Sequence, residues 1–318
     1  MRSTFLRPVL FATLLGLSLT ACDAGDATPQ TASQPAANGI NITAQQNRVR
    51  ARKVDEIANL VPAGIRARGT FVVGTTGNGT PPLSFRADDD KTIIGVEPDI
   101  AQLVADVLGL KLDLQPTSWE NLFLSVENGQ YTAGFSNVTV TEERKDKYDF
   151  ATYRRDTLAF EARSDKDLTV REPKDIAGLT VGVSSGTNQE QILLRWDEQN
   201  RAAGLKPVKF QYYQTTSDYY LALKSGRIDV YVGPNPTATY HVAVDKQAKI
   251  VGTVSGGGQI PADIAAMTKK GNGLADALQK ALQHEIANGQ YAEVLNRWNL
   301  TNEAVAASEV NPKGLPRK

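Results

Sequence analysis

The chain has 318 residues, enough for two domains of ordinary size, and its 22% charged and 41% hydrophobic residues are globular values. Thirty-five basic and thirty-five acidic side chains cancel, which leaves no electrostatic footprint for a nucleic acid or another polyanion. The composition also excludes a chain that is disordered throughout.

Residues 1–22 stand apart. Arg2 and Arg7 form a positive n-region, Pro8 to Leu19 is almost wholly apolar, and Leu19-Thr20-Ala21-Cys22 places small residues before a cysteine. This is the pattern of a secretory signal, too short to be read as a lasting membrane span. The last four residues resemble the lipobox of bacterial lipoproteins, which implies cleavage before Cys22 and acylation of that residue. The lipid would then anchor the chain to the cell membrane, facing the periplasm or the exterior. Cys22 is the only cysteine, so the mature protein would have neither a free thiol nor a disulfide, and a cysteine catalyst or an Fe–S cluster is excluded. Residues 23–52 are rich in Ala, Thr, Gln, Pro, Gly and Asn and read as a flexible tether.

Val54, Ile57, Ala58 and Val61 predict a short amphipathic helix ended by Pro62 and Gly64. Gly69 to Thr75 predicts a strand that opens into the Gly- and Pro-rich loop Thr76–Pro82. A helix follows from about Ile100 to Leu108, then a strand over Leu110–Leu114, a loop carrying Trp119, and a short helix over Leu122–Val126. The stretch Ala133 to Arg144 is an apolar segment with a polar exit, Ser136-Asn137, and an arginine beyond it. Asp149–Tyr153 and Asp156–Ala162 read as extended. Leu179–Val183 begins the pattern again as strand, Gly/Ser/Thr loop and helix over Gln189–Gln199, followed by the strand Val208–Tyr212 and the helix Asp218–Gly226. Ile228–Gly233 and Ile250–Val254 are further extended runs, and Leu274–Asn288 and Tyr291–Trp298 are helices. Strand-loop-helix recurs from Thr70 and from Leu179, the grammar of two α/β lobes with helix-covered sheets.

The loop Ser185-Gly186-Thr187-Asn188 opens a helix, where unsatisfied backbone donors favour an anion such as a carboxylate; capping alone is the plain alternative. Arg144 reads either as a bidentate clamp on a carboxylate or as a solvated side chain paired with Glu142 or Glu143. Trp119 reads as a pocket wall or as ordinary packing. His241 and His284, the only histidines, have no partners for a metal site or a triad, and no phosphate-binding loop is present, so neither catalysis nor a cofactor is expected.

These pieces in this order resemble the family 3 solute-binding proteins of bacterial ABC importers. The resemblance runs from about Asp55 to Leu300. It rests on Gly74-Thr75 with Pro81-Pro82, Ile94 to Ile100, Trp119-Glu120, Thr141-x-Glu143-Arg144, Asp149-Phe150, Gly182-Val183 with Gly186-Thr187, Gly226-x-Ile228-Asp229, and Tyr291 through Trp298. It implies a periplasmic-binding-protein type II fold, two α/β lobes joined by two crossover strands. Lobe 1 would be discontinuous, 53–158 plus 252–301, with lobe 2 at 161–248 and a loose tail at 302–318. It further implies that Trp119 stacks on a solute and that Ser136, Asn137 and Thr139 offer hydrogen bonds. Arg144 would grip a carboxylate, with Thr187 and Asn188 as second-lobe donors.

Two positions depart from the family pattern. Gly233-Pro234-Asn235 has no carboxylate where the family holds an ammonium, and Thr80 stands where the first loop usually supplies an aromatic. Either Glu97, Glu190, Asp218 or another carboxylate replaces the missing one, or the solute is not an ordinary α-amino acid; Asn235 and Thr80 are placed near the solute. The implied function is capture of a small polar carboxylated solute, an amino acid or derivative, by a monomer that delivers it to an ABC permease. Cyclohexadienyl dehydratases share this fold and give an enzymatic alternative; a solute-sensing lipoprotein is another.

Overall fold

The computed structural model describes residues 39–317 apart from Asn78 and Thr80, so the expected signal peptide and Cys22 lie outside the described residues. Two five-stranded sheets form the framework. The first has the strand order Lys111–Pro116, Thr70–Thr75, Ala133–Gly134, Asp263–Lys269, Tyr148–Arg155. Its first three strands are parallel and its last two join antiparallel. The second has the order Ala248–Ser255, Thr157–Arg163, Val230–Pro234, Thr180–Val183, Lys209–Tyr212, with parallel pairing at one end and antiparallel at the other. The two lobes are therefore built on the same plan, as the recurring strand-loop-helix pattern predicts.

The chain crosses between the sheets twice. Tyr148–Arg155 passes through Asp156 into Thr157–Arg163, and Ala248–Ser255 returns through residues 256–262 into Asp263–Lys269. Ladder pairing with Thr157–Arg163 continues through Ser255, so the return comes later than the expected boundary at 252, and Thr157 and Leu158 already belong to the second sheet.

In lobe 1 the helix Val96–Leu108 buries Ile100, Leu103, Val104 and Val107 against the sheet and against the helix Ala275–Asn288. Gly109 in the left-handed region ends it, where a Cβ would be strained. In lobe 2 the helix Asn188–Ala202 sets Ile192, Leu193 and Trp196 on the sheet, with Trp196 stacked on Phe160 at 5.4 Å.

Two segments expected to be loose are packed. Of the tether, residues 39–52 lie along lobe 1: Ile40 is buried, Arg50 grips Asp106 through two bonds of 2.7 Å, and Arg48 pairs with buried Asp99 at 2.9 Å. Their composition is polar, but these two long-range ion pairs, with Ile40 in the core and Ile42, Ala44, Val49 and Ala51 packed against it, offset the entropy of ordering. The expected loose tail is likewise a strap. Residues 308–311 run along Tyr148–Arg155, the edge strand of the first sheet, through Thr152 N–H to Glu309 O (3.0 Å) and Asn311 N–H to Phe150 O (3.0 Å). Leu315 then exchanges backbone bonds with Val140 (3.0 Å) and Glu142 (2.8 Å). An edge strand presents a row of unpaired donors and acceptors, and this segment satisfies them.

Candidate functional site

A cleft of about 690 Å³ is lined by both lobes. From the first lobe, the parallel strands Thr70–Thr75 and Ala133–Gly134 deliver Thr76 and Ser136 at their carboxyl ends, where open α/β sheets bind ligands. Ser136 Oγ accepts the Thr76 N–H (3.0 Å) and lies 2.7 Å from Thr76 Oγ1. Asn137 follows at φ +54°, a left-handed conformation that asparagine tolerates because its short amide finds local partners. Its Oδ1 accepts from Arg154 Nη2 at 2.6 Å, which orients the amide with its NH2 group turned away from that guanidinium. Trp119 is the first residue of a helix whose N-cap is Ser118, not the loop residue that its flanking Pro116 and Thr117 suggest.

Arg144 sits beside this wall. Its guanidinium lies 5.3 Å from the Trp119 ring centroid and 5.0 Å from that of Phe123. Nη1 donates to Thr139 O (2.8 Å) in lobe 1 and Nη2 to Gly186 O (3.1 Å) in lobe 2. Burial pushes its pKa down to about 10, so it remains a cation at neutral pH. None of the ion pairs among the described residues involves it.

From the second lobe, the loop after Thr180–Val183 brings Ser184, Thr187 and Asn188 to the cleft. Thr187 is the N-cap of the helix Asn188–Ala202, accepting the Glu190 N–H at 3.3 Å and donating to Ser184 O at 2.7 Å. Tyr219 and Tyr231 form a parallel stack at 3.6 Å, and both line the cleft. Burial raises the Tyr231 phenol well above its ordinary pKa, so it stays protonated.

Of the predicted residues, Trp119, Ser136, Asn137, Thr187 and Asn188 line the cleft together. Thr139 and Arg144 are not among its lining residues; Arg144 lies over Trp119, which is. Thr139 Oγ1 donates to Asp156 Oδ2 (2.7 Å), and Asn188 Nδ2 donates to the same oxygen (2.8 Å) and to Gly256 O (2.7 Å). Asp156, on the first crossover, thus ties a side chain from each lobe; Gly256 packs so tightly on it that no side chain would fit there. Burial pushes the Asp156 pKa up to about 6 against the lowering effect of the Thr139 bond.

Glu97 is a correction. It is fully buried within lobe 1 and holds Arg154 Nη2 at 2.6 Å and the Tyr153 hydroxyl. The cause is local: the helix begins at Val96, four residues earlier than expected, and turns Glu97 inward as its second residue. Asn235 does not line the cleft; its neighbours Pro234 and Thr237 do, with Thr237 Oγ1 bonded to Pro234 O (2.8 Å). Glu190 accepts the Gly186 N–H (2.8 Å), and Asp218 accepts from Thr215 Oγ1 (2.7 Å). Thr80 lies outside the described residues.

Sequence reasoning misses Thr76, Ser84, Tyr219, Tyr231 and Asp156, none of which belongs to a compact motif. It quotes Glu120 beside Trp119 but gives it no site role, although it is the only carboxylate among the described lining residues, on the exposed rim. No lysine or arginine lines the cleft among them, and no cluster of three or more metal-ligating side chains occurs among the described residues.

Two lobes of one topology, crossed twice and facing each other over a hydroxyl- and amide-lined cleft, define the two-lobed binding-protein class. Residues 71–301 match the model of the bacterial extracellular solute-binding proteins, family 3, and the chain belongs to that family. It is 34% identical over 166 residues to the L-cystine-binding protein TcyJ of Escherichia coli, an alignment covering 52% of this chain and 59% of that one. The arginine-binding protein ArgT of Corynebacterium glutamicum is 28% identical over 263 residues, 82% of this chain and 84% of that one. Among solved structures, an ancestral arginine-binding protein bound to arginine superposes with a TM-score of 0.64 at 28% identity. It covers 73% of this chain and 98% of that one.

Proposed function

We propose that this protein is the exported substrate receptor of an ABC importer. It captures a small carboxylated solute, an amino acid or derivative, between its lobes and passes it to a membrane permease. The observation that carries the reading is Arg144, a cation in no ion pair among the described residues, tied to one carbonyl from each lobe and set over Trp119 of a cleft rich in neutral donors. A half-buried guanidinium in that setting is best satisfied by an anion arriving with the ligand. Trp119 offers a flat face for the solute, and Ser136, Asn137, Thr187 and Asn188 offer hydrogen bonds.

The relatives named for cystine and arginine make those two solutes the first probes. The lining weighs against a doubly cationic ligand, since Glu120 is the single carboxylate available to an ammonium or guanidinium among the described lining residues. The export signal and Cys22 support a lipid anchor.

The test is a thermal-shift and calorimetric screen of amino acids on ligand-stripped protein. At a hundred times Kd a bound solute adds about 2.7 kcal/mol of stability. Arg144→Ala is expected to weaken binding of carboxylated solutes about 10- to 100-fold, the range of a hydrogen bond to a charged group. Unchanged affinity in that variant would remove Arg144 from the site.

A further inference from the structure

We propose that the C-terminal strap, residues 302–317, is a working part of the solute site, and that Glu303 and Leu315 are positioning residues for its first-lobe half. This rests on the solute reading of the cleft. The family match ends at residue 301, so the strap is an element that the family model does not describe.

Its two ends reach the first-lobe half of the clamp by separate routes. Glu303, fully buried, receives Arg154 Nη1 and the Thr157 hydroxyl, while Arg154 Nη2 donates to Glu97 and to Asn137 Oδ1 in the cleft wall. Glu303 therefore holds the guanidinium that fixes which way the Asn137 amide faces. A carbonyl oxygen committed to Arg154 leaves the NH2 of Asn137 as the group presented to a ligand, a donor suited to a carboxylate.

At the other end, Leu315 sits beside the turn that carries Thr139 and Arg144. It pairs with Thr141, its N–H donates to Val140 O (3.0 Å), and its carbonyl accepts the Glu142 N–H (2.8 Å). The Gly314 N–H adds a bond to Glu142 Oε1 (2.7 Å), and Lys145 Nζ reaches Pro312 O (3.0 Å). The Leu315 side chain also packs on Gly257, in the second crossover, where no Cβ would fit. Glu303 lies beside the first crossover through Thr157. The strap thus touches both connections between the lobes, and it reaches Asn137 through Arg154 and Arg144 through the backbone of residues 140–142. It sets the orientation of Asn137 and the height of the Arg144 turn before a solute arrives.

The experiment uses two variants: a chain ending at Lys313, and full-length Leu315→Ala in case the shortened chain does not fold. Both keep Glu303, Asn311 and the edge-strand bonds. Amide exchange is read over residues 139–147 and 188–202, and Kd is read by calorimetry with L-cystine, L-arginine and L-glutamine. Exchange over 139–147 is expected to speed up about tenfold in the shortened chain, with a smaller rise in Leu315→Ala. Exchange over 188–202 stays unchanged, and affinity for the bound probe falls about tenfold. In an Arg144→Ala background the same truncation is expected to add no further loss of affinity, which a general loss of stability would not reproduce. Unchanged exchange over 139–147, unchanged affinity, or full additivity with Arg144→Ala would each overturn the proposal. If the intact protein binds none of the probes, the amino-acid reading of the cleft fails, and the exchange comparison still decides whether the strap sets the turn.

Discussion

The two halves of the cleft are built on the same sheet plan yet held by different physics. Behind the first-lobe wall lies a buried ionic layer in which Arg154 is shared between Glu97 and Glu303, with Tyr153 and Thr157 completing the carboxylates' bonds. The second-lobe wall has no shared guanidinium among the described residues, only buried Glu161 bonded to His241 opposite Tyr231. It relies on a capped helix start at Thr187, hydroxyls, and the Tyr219–Tyr231 stack. The contrast shows that one topology can position ligand donors either by burying charge or by using the free N–H groups that every helix start supplies. The first way fixes side-chain orientation; the second costs less when it is lost.

That difference can be broken from either side. The largest effect is expected from Arg154→Met, which leaves Glu97 and Glu303 buried without a cation and should cost about 3–5 kcal/mol in urea unfolding. A cost below about 1 kcal/mol, on the scale of an exposed pair, would mean that the ionic layer does not hold the first-lobe wall.

Next is the junction between the halves. Asp156 is raised to about 6 in the folded chain, above the usual value for an unfolded aspartate, so the native state takes up a proton first. Its contribution is favourable below about pH 4 and is lost as pH rises towards 6, a swing of about 3 kcal/mol. Asp156→Asn should therefore gain stability relative to the parent between about pH 4 and 8; a gap that stays constant over that range would overturn the assignment.

The smallest effect belongs to the second-lobe wall. Thr187→Ala removes the cap on Glu190 and should cost about 1 kcal/mol. If it cost more than Arg154→Met, the ranking of the two walls would be reversed.

Much of this architecture is legible from residue spacing, and the misses share a cause. The alternation in Leu179–Val183 and the 3.6-residue period of Leu274–Asn288 announce elements whose cores are local matters. The strand Asp263–Lys269 escapes such a reading, because Ala265 and Ala266 give it a weak apolar signal although it joins the parallel strands to the edge strand of its sheet. The strap looks loose in sequence because its anchors are single residues, Glu303 and Leu315, whose partners lie more than 100 positions away. Glu97 looks available since sequence shows a carboxylate but not the arginine that consumes it. Of the site, the Ser136-Asn137 exit and the Gly186-Thr187-Asn188 loop are visible as motifs. Tyr231 and Asp156 are not, since their roles come from the two sheets being brought together.

Trp119 has a consequence beyond binding. The chain has three tryptophans, of which Trp196 and Trp298 are buried within single lobes. Trp119 alone stands between lobes, half-exposed, with its indole nitrogen 3.8 Å from where a Cβ on Gly186 would lie and a guanidinium over its ring. Separating the lobes would change the polarity around that indole while leaving the other two as they are. The protein thus carries its own optical gauge of lobe separation, readable as an emission shift without any attached dye.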